Sequence, residues 1–291
     1  MNSEKIQNRC CQCGTQGRIH EPTCGSRYAR EFLAEPTAVY QASRRDFLRR
    51  ALVGGLTVAT LPLLDAEARA DLFMPSVADQ KKLGDQAAQQ ILQKYRVVND
   101  SRAQAFDNIG AKLVNALGSR DRGPWDYRFH VIESKQINAF AVPGGNMFMF
   151  TGLMDKVSSD DELAAVTGHE MTHVRKQHWA KAVANSTKRQ LGLSLLLSAT
   201  RAGGGWRQLA GVGDSLIGLK YSRGEEDEAD AGGLQDMVQA GYDPNGMLDL
   251  FHLLQTSSGG GGGAPAFLSD HPLTTDRIRH TQDRINRLYS R

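Results

Sequence analysis

The chain has 291 residues, 40% of them hydrophobic, with 35 Lys and Arg against 32 Asp and Glu, a net charge of +3. Residues 1–70 hold ten of the basic and seven of the acidic residues, so the 221 residues from Asp71 onward carry 25 of each and are neutral. A basic surface that recruits nucleic acid is therefore not expected, and 221 residues suffice for one domain with a sizeable core.

All four cysteines, Cys10, Cys11, Cys13 and Cys24, precede residue 43. Adjacent cysteines without a second Cys-x-x-Cys match metal-site spacings poorly, so residues 1–42 read as an extension that is disordered or absent from the mature protein. Next come Ser43-Arg44-Arg45-Asp46-Phe47-Leu48, an apolar stretch from Ala51 to Leu64, and Ala68-Arg69-Ala70. A basic start, a short apolar middle and a small-residue end make 43–70 a secretory signal of the twin-arginine type, with cleavage expected after Ala70. The apolar stretch is shorter than the ~20 residues of a membrane-spanning helix. The exported body, 71–291, is expected in the periplasm of a Gram-negative bacterium, free or peripheral to the membrane. Lacking cysteine, it must rely on packing and metal for stability.

Within that body, helical periodicity over 76–95 and 102–117 predicts two scaffold helices, the second with Gly118 as its C-terminal cap. The period then shortens. Residues 127–132 and 146–151 alternate as strands do, and Pro143-Gly144-Gly145 supplies a turn before the second. The stretch Asn138-Ala139-Phe140-Ala141-Val142 is the expected sheet edge, where an extended peptide added as a strand would be held by main-chain hydrogen bonds. Its apolar members, Phe140 and Val142, fit an ordinary core strand as well.

Ser159 and Glu162 form a capping box that opens a helix expected over 159–179, with Leu163, Val166 and Val174 as an apolar stripe. On it lies Gly168-His169-Glu170-Met171-Thr172-His173. Residues four apart share a helix face, so His169 and His173 present two imidazoles to one point with Glu170 beside them, a zinc site with a general base. The apolar patch 191–199 reads as a packed core helix, with a membrane-touching hairpin as the second option; it is too short to span. A further acidic helix ends at Ala240 with Gly241 as cap, and Asp243-Pro244 opens another as N-cap and first-turn proline. Zinc hydrolases keep three protein ligands and one open position, and a carboxylate can be the third. Glu226 is the candidate, though spacing alone does not separate it from its acidic neighbours. Asp230 shares its face and is placed to accept the second ring N–H of a zinc-bound histidine. Glu225, Asp227 and Glu228 read as solvated surface charges.

Several stretches together resemble the gluzincin metallopeptidases of the HtpX, BepA and CAAX-prenyl-endopeptidase type, to which the mitochondrial Oma-type proteases also belong. They are Asn138-Ala-Phe-Ala-Val-Pro-Gly-Gly, Phe150-Thr-Gly-Leu, Gly168-His-Glu-Met-Thr-His, Ser222-Arg-Gly-Glu-Glu-Asp-Glu-Ala-Asp, Gly241-Tyr-Asp-Pro, and His271-Pro followed by Arg277-Ile278. The resemblance implies an α+β, mostly helical zincin-like domain with a small sheet beside the His-Glu-x-x-His helix. It implies one Zn2+ held by His169, His173 and Glu226, the glutamate three residues before Ala-Asp. It further implies that Asn138, with Ala139 and Phe140, binds substrate backbone, and that His271 either stabilises an oxyanion or closes onto zinc as a fourth ligand. Asp270 departs from the Ser or Thr usual before His-Pro.

The activity expected is zinc-dependent endopeptidase cleavage of exported or membrane-associated polypeptides in envelope quality control, with Glu170 as the base and polypeptides, including misfolded envelope proteins, as partners. The alternative is a zinc-stabilised periplasmic chaperone or binding module.

Overall fold

Ser76 accepts the Asp79 N–H and starts helix α1 (Val77–Lys94), which stops at extended Tyr95, and Asp100 caps α2 (Ser101–Ala116) through the Arg102 N–H. The computed structural model describes residues 74–182, 184, 220–257 and 265–290. The four cysteines, the leader 43–70, the apolar patch 191–199 and the glycine run 259–263 lie outside them. The remaining elements are β1 (Val97–Val98), α3 (Ser119–Arg122), β2 (Arg128–Ile132), β3 (Ala139–Ala141), β4 (Asn146–Phe150), α4 (Thr151–Met154), α5 (Asp160–Arg175), α6 (Arg223–Gln239), α7 (Gly246–Thr256), α8 (Ala266–Asp270) and α9 (Thr275–Tyr289). The domain is mostly helical with one small sheet beside α5, as expected for a zincin-like fold.

The sheet runs β1-β2-β4-β3. β2 and β4 are parallel, from Arg128 opposite Asn146 to Ile132 opposite Phe150, so the chain between them must cross over. It does so through β3, which turns back at Pro143-Gly144-Gly145 and pairs antiparallel with β4. Gly144 and Gly145 have φ of +94° and +116°, conformations open to glycine at little strain. β3 is therefore one of the two edge strands, with β1 at the other side. Alternation in β4 decides both faces: Met147 and Met149 join the core formed with α2, α5, α6 and α7, while Phe148 and Phe150 join a second cluster with α1 and Trp179. All five residues of β4 are buried.

Four expectations about boundaries are corrected. Gly118 has an ordinary φ of −61° and precedes α3, and the cap of α2 is extended Leu117, so Gly118 uses none of its conformational freedom. The helix after Ser159 ends at Arg175 rather than 179: Gln177 turns left-handed at φ +55°, and residues 178–182 begin a new helical turn. Ser159 Oγ accepts the Glu162 N–H at 3.1 Å, but the Glu162 carboxylate reaches past the cap to the Ser158 N–H at 2.7 Å, so the box is not reciprocal. Asp243 caps a turn through the Asn245 N–H, and α7 begins only at Gly246.

Helices α5 and α6 meet backbone to backbone. A Cβ on Gly233 would lie 2.8 Å from the His169 nitrogen, and one on Gly168 would lie 3.0 Å from the Gly233 carbonyl oxygen. Arg175 Nη2 and Asp236 Oδ2, 2.7 Å apart, tie the same two helices. Gly233→Val should therefore push α6 off α5, lowering stability by about 1–3 kcal/mol through overpacking. Glu226 on α6, the expected zinc ligand, would be displaced with it, so zinc content should fall; thermal melting and zinc quantification on the purified variant check both, and full zinc content would contradict the expectation.

Candidate metal centre

Helix α5 sets His169 and His173 one turn apart with their Nε2 atoms 3.1 Å from each other. Ser222 starts α6 with a reciprocal capping box to Glu225, and this places Glu226 in the first turn, facing α5. Glu226 Oε2 lies 3.5 Å from His169 Nε2 and Oε1 lies 3.6 Å from His173 Nε2. The segment between α8 and α9 brings in His271, whose Nδ1 is 2.9 Å from Glu226 Oε1 and 3.3 Å from His169 Nε2. The four side chains are buried, and one donor atom from each lies within 4.8 Å of the others.

This set fits a zinc ion. Ligands at about 2.0–2.2 Å in a tetrahedron stand roughly 3.3–3.6 Å from one another, the range in which most of these separations fall. The donors are three imidazoles and a carboxylate, a combination zinc accepts. Two buried carboxylate oxygens here, Glu170 Oε1 and Glu226 Oε2, have no hydrogen-bond donor, although Glu226 Oε2 lies 2.8 Å from Arg277 Nη1. A buried acceptor left unpaired costs about 1–3 kcal/mol, a penalty that a cation and its water relieve.

Charge is arranged to suit a cation. Burial, reinforced by the neighbouring His169 and His271, holds His173 far below the ordinary imidazole range and so in the neutral, ligating form. Burial opposes ionisation of Glu226, but His271, His169 and Arg277 outweigh it and keep its carboxyl low. Burial raises the Glu170 carboxyl, despite the opposing pull of His271 and His169. Glu170 stands beside the cluster, with Oε1 3.5 Å from His271 Nε2 and Oε2 accepting the Ala141 N–H at 2.9 Å.

The profile of peptidase family M48 matches residues 100–285, a span that takes in every one of these side chains. The chain belongs to peptidase family M48. It is 30% identical over 213 residues to a beta-barrel assembly-enhancing protease of Yersinia pestis, covering 66% of this chain and 43% of that protein. It is 31% identical over 257 residues to the metalloprotease LoiP of Escherichia coli, covering 81% of this chain and 97% of LoiP. A mitochondrial metalloendopeptidase of Schizosaccharomyces pombe is 35% identical over 172 residues, 59% of this chain and 50% of its own. The chain thus spans less than half the length of the assembly-enhancing protease and nearly all of LoiP. Zinc is the ion of this family's metalloproteases, and the His169, His173, Glu226 and His271 group can hold it.

Around these M48 donors, Asp230 Oδ1 lies 3.0 Å from His169 Nδ1, and its two oxygens accept a fork from Arg277 at 2.6 and 2.7 Å. Asn138 is buried; its Oδ1 accepts the Ala139 N–H and its Nδ2 donates to Asp270 Oδ2 at 3.3 Å. Phe140 stacks on Phe148 inside the core and pairs with β4, so the groups facing the outer edge are those of Ala139 and Ala141. Glu225, Asp227 and Glu228 lie at the surface as spacing suggested, and each also has a partner there: Glu225 closes the cap of α6, Asp227 pairs with Arg284 and His280, and Glu228 contacts Lys176 and His178. Two other neighbours had no role in the sequence reading: Tyr221, whose ring lies 4.1 Å from that of His173, and fully buried His178, with Nδ1 2.9 Å from His173 Nδ1. His178 lies five positions past His173, a separation that a continuous helix puts on another face. Only the turn at Gln177 brings it back.

Proposed function

We propose that this M48 chain is a zinc-dependent endopeptidase of the bacterial cell envelope that cleaves exported or membrane-associated polypeptides, including misfolded ones, with His169, His173 and Glu226 as zinc ligands. The observation that carries it is the convergence of those three side chains from α5 and α6, with an unpaired carboxylate oxygen of Glu170 beside them. Zinc supplies Lewis acidity, which activates water near neutral pH and polarises a peptide carbonyl. Glu170 Oε1 takes the proton of the attacking water and returns it to the leaving amine, a role suited to a carboxyl raised by burial. Asp230 fixes the ring of His169 through its Nδ1 proton.

His271 acts as a movable fourth ligand. With zinc held by the other three donors, its Nδ1 would occupy the position a water would need, and hydrolysis would then require the segment between α8 and α9 to move; Asp270 on Asn138, and the Phe267 N–H on the Ile137 carbonyl at 3.1 Å, hold that segment down. Once released, the edge of β3 accepts an extended substrate as an added strand through the carbonyls of Ala139 and Ala141, with Asn138 Oδ1 giving up the Ala139 N–H to the substrate, an arrangement that tolerates many side chains. The relative named for enhancing beta-barrel assembly points to beta-barrel proteins as one substrate class. No described helix is long and apolar enough to cross a membrane, and export by residues 43–70 delivers the domain. Family membership favours this reading over a zinc-stabilised binding module.

The purified full chain should contain one zinc per molecule, cleave an unfolded beta-barrel protein, lose cleavage on chelation and regain it with added Zn2+. Zinc-loaded protein that leaves unfolded polypeptides intact, even with His271→Ala to free the fourth corner, would refute the hydrolytic role.

A further inference from the structure

The buried imidazole of His178 stands outside the four-donor cluster. Its Nδ1 is 2.9 Å from His173 Nδ1, and its Nε2 is 2.9 Å from Glu228 Oε2. His178 has no exposed side-chain surface, whereas the Glu228 side chain is 37% exposed. Lys176 Nζ contacts Glu228 at 2.7 Å and Lys181 Nζ at 3.8 Å, two ammonium groups beside the one carboxylate.

The proton positions follow from the donors. His173 turns Nε2 toward the metal cluster, so its ring proton sits on Nδ1 and is donated to His178 Nδ1. His178 must then be bare at Nδ1 and protonated at Nε2, the nitrogen that donates to Glu228. No other arrangement of protons on two neutral rings satisfies both contacts. The backbone is bent to make this chain of bonds: Gln177, the one described non-glycine residue at positive φ, sits immediately before His178, and its Oε1 accepts Gln80 Nε2 at 2.8 Å. Left-handed backbone at a non-glycine residue is strained and persists where surrounding structure enforces it.

We propose that His178 is a positioning residue that links the surface carboxylate of Glu228 to the ligand His173, fixing the ring and tautomer of His173 and increasing its hold on zinc. The inference rests on His173 being a zinc ligand, as in the proposed function. It gives the two histidine ligands separate outer carboxylates: Asp230, buried and direct, for His169, and Glu228, at the surface and one imidazole removed, for His173. Partners of this kind typically change metal affinity 10–100-fold when removed.

The test is zinc affinity of the full chain, measured by competition with a chromophoric chelator, with cleavage of an unfolded protein as a second readout. Wild-type protein that takes up no zinc would refute the zinc site itself; with wild-type binding established, the variants test His178 alone. His178→Leu should weaken zinc about 10–100-fold, while His178→Asn, whose amide oxygen can stand where Nδ1 stood, should recover most of the loss. Glu228→Gln keeps an acceptor and removes the charge; as a half-exposed change it spares the core and should weaken zinc severalfold. Wild-type affinity in folded His178→Leu, an equal loss in His178→Asn and His178→Leu, or wild-type affinity in Glu228→Gln would each overturn the proposal. Should His178→Leu fail to fold, Glu228→Gln and His178→Asn still decide it.

Discussion

Glu170→Gln is expected to retain one zinc ion per chain and to cleave unfolded protein about 10²–10⁴-fold more slowly than the native chain. The substitution keeps shape and volume, and a glutamine oxygen can still accept the Ala141 N–H that Glu170 Oε2 accepts at 2.9 Å. What it removes is the unpaired, basic Oε1 beside the cluster. None of the four clustered donors is touched, so zinc content and melting temperature should hold. Zinc analysis beside a cleavage time course separates the outcomes. Native-rate cleavage by zinc-loaded Glu170→Gln would remove Glu170 from the chemistry, and loss of zinc would make it a structural support instead.

Arg277→Met is expected to lower unfolding stability by about 3–5 kcal/mol, since removing one partner of a buried charge cluster leaves the others uncompensated. Arg277 is buried, forks onto Asp230 at 2.6 and 2.7 Å, and contacts Glu226 at 2.8 Å. It is the guanidinium that lets two buried carboxylates stand side by side beneath the histidines. Without it Asp230 favours its protonated form and no longer accepts the ring proton of His169, so zinc should weaken as well. Lysine cannot substitute, because a single ammonium does not reproduce the planar fork. Denaturant unfolding with and without zinc measures the effect. An unchanged midpoint in both states would mean that Arg277 is dispensable and that another group balances these carboxylates.

Where the sequence was legible, one period or one local rule sufficed. The caps at Ser159 and Gly241 stand where turn chemistry put them, and β3 lies at an edge of the sheet. Where it failed, distant parts of the chain decided. The early end of α5 follows from one left-handed residue, Gln177, invisible to a helical pattern that continues on both sides. Glu225, Asp227 and Glu228 lie at the surface as read, but spacing shows only their own helix, so it missed the cations that hold Asp227 and Glu228, which come from α9 and from residues 176–181. Phe140 was open between edge and core until β4 covered it.

By itself the sequence determined the helix that pairs His169 with His173, because a four-residue spacing fixes a shared face wherever the helix lies. Resemblance of ordered motifs added Glu226 and the family. Only the tertiary structure brought His271 within 2.9 Å of Glu226, forked Arg277 onto Asp230 and set His178 against His173. Each of those contacts joins separate helices or crosses a break in one, and its distance depends on helix packing at Gly168 and Gly233 and on the turn at Gln177, which no local periodicity encodes.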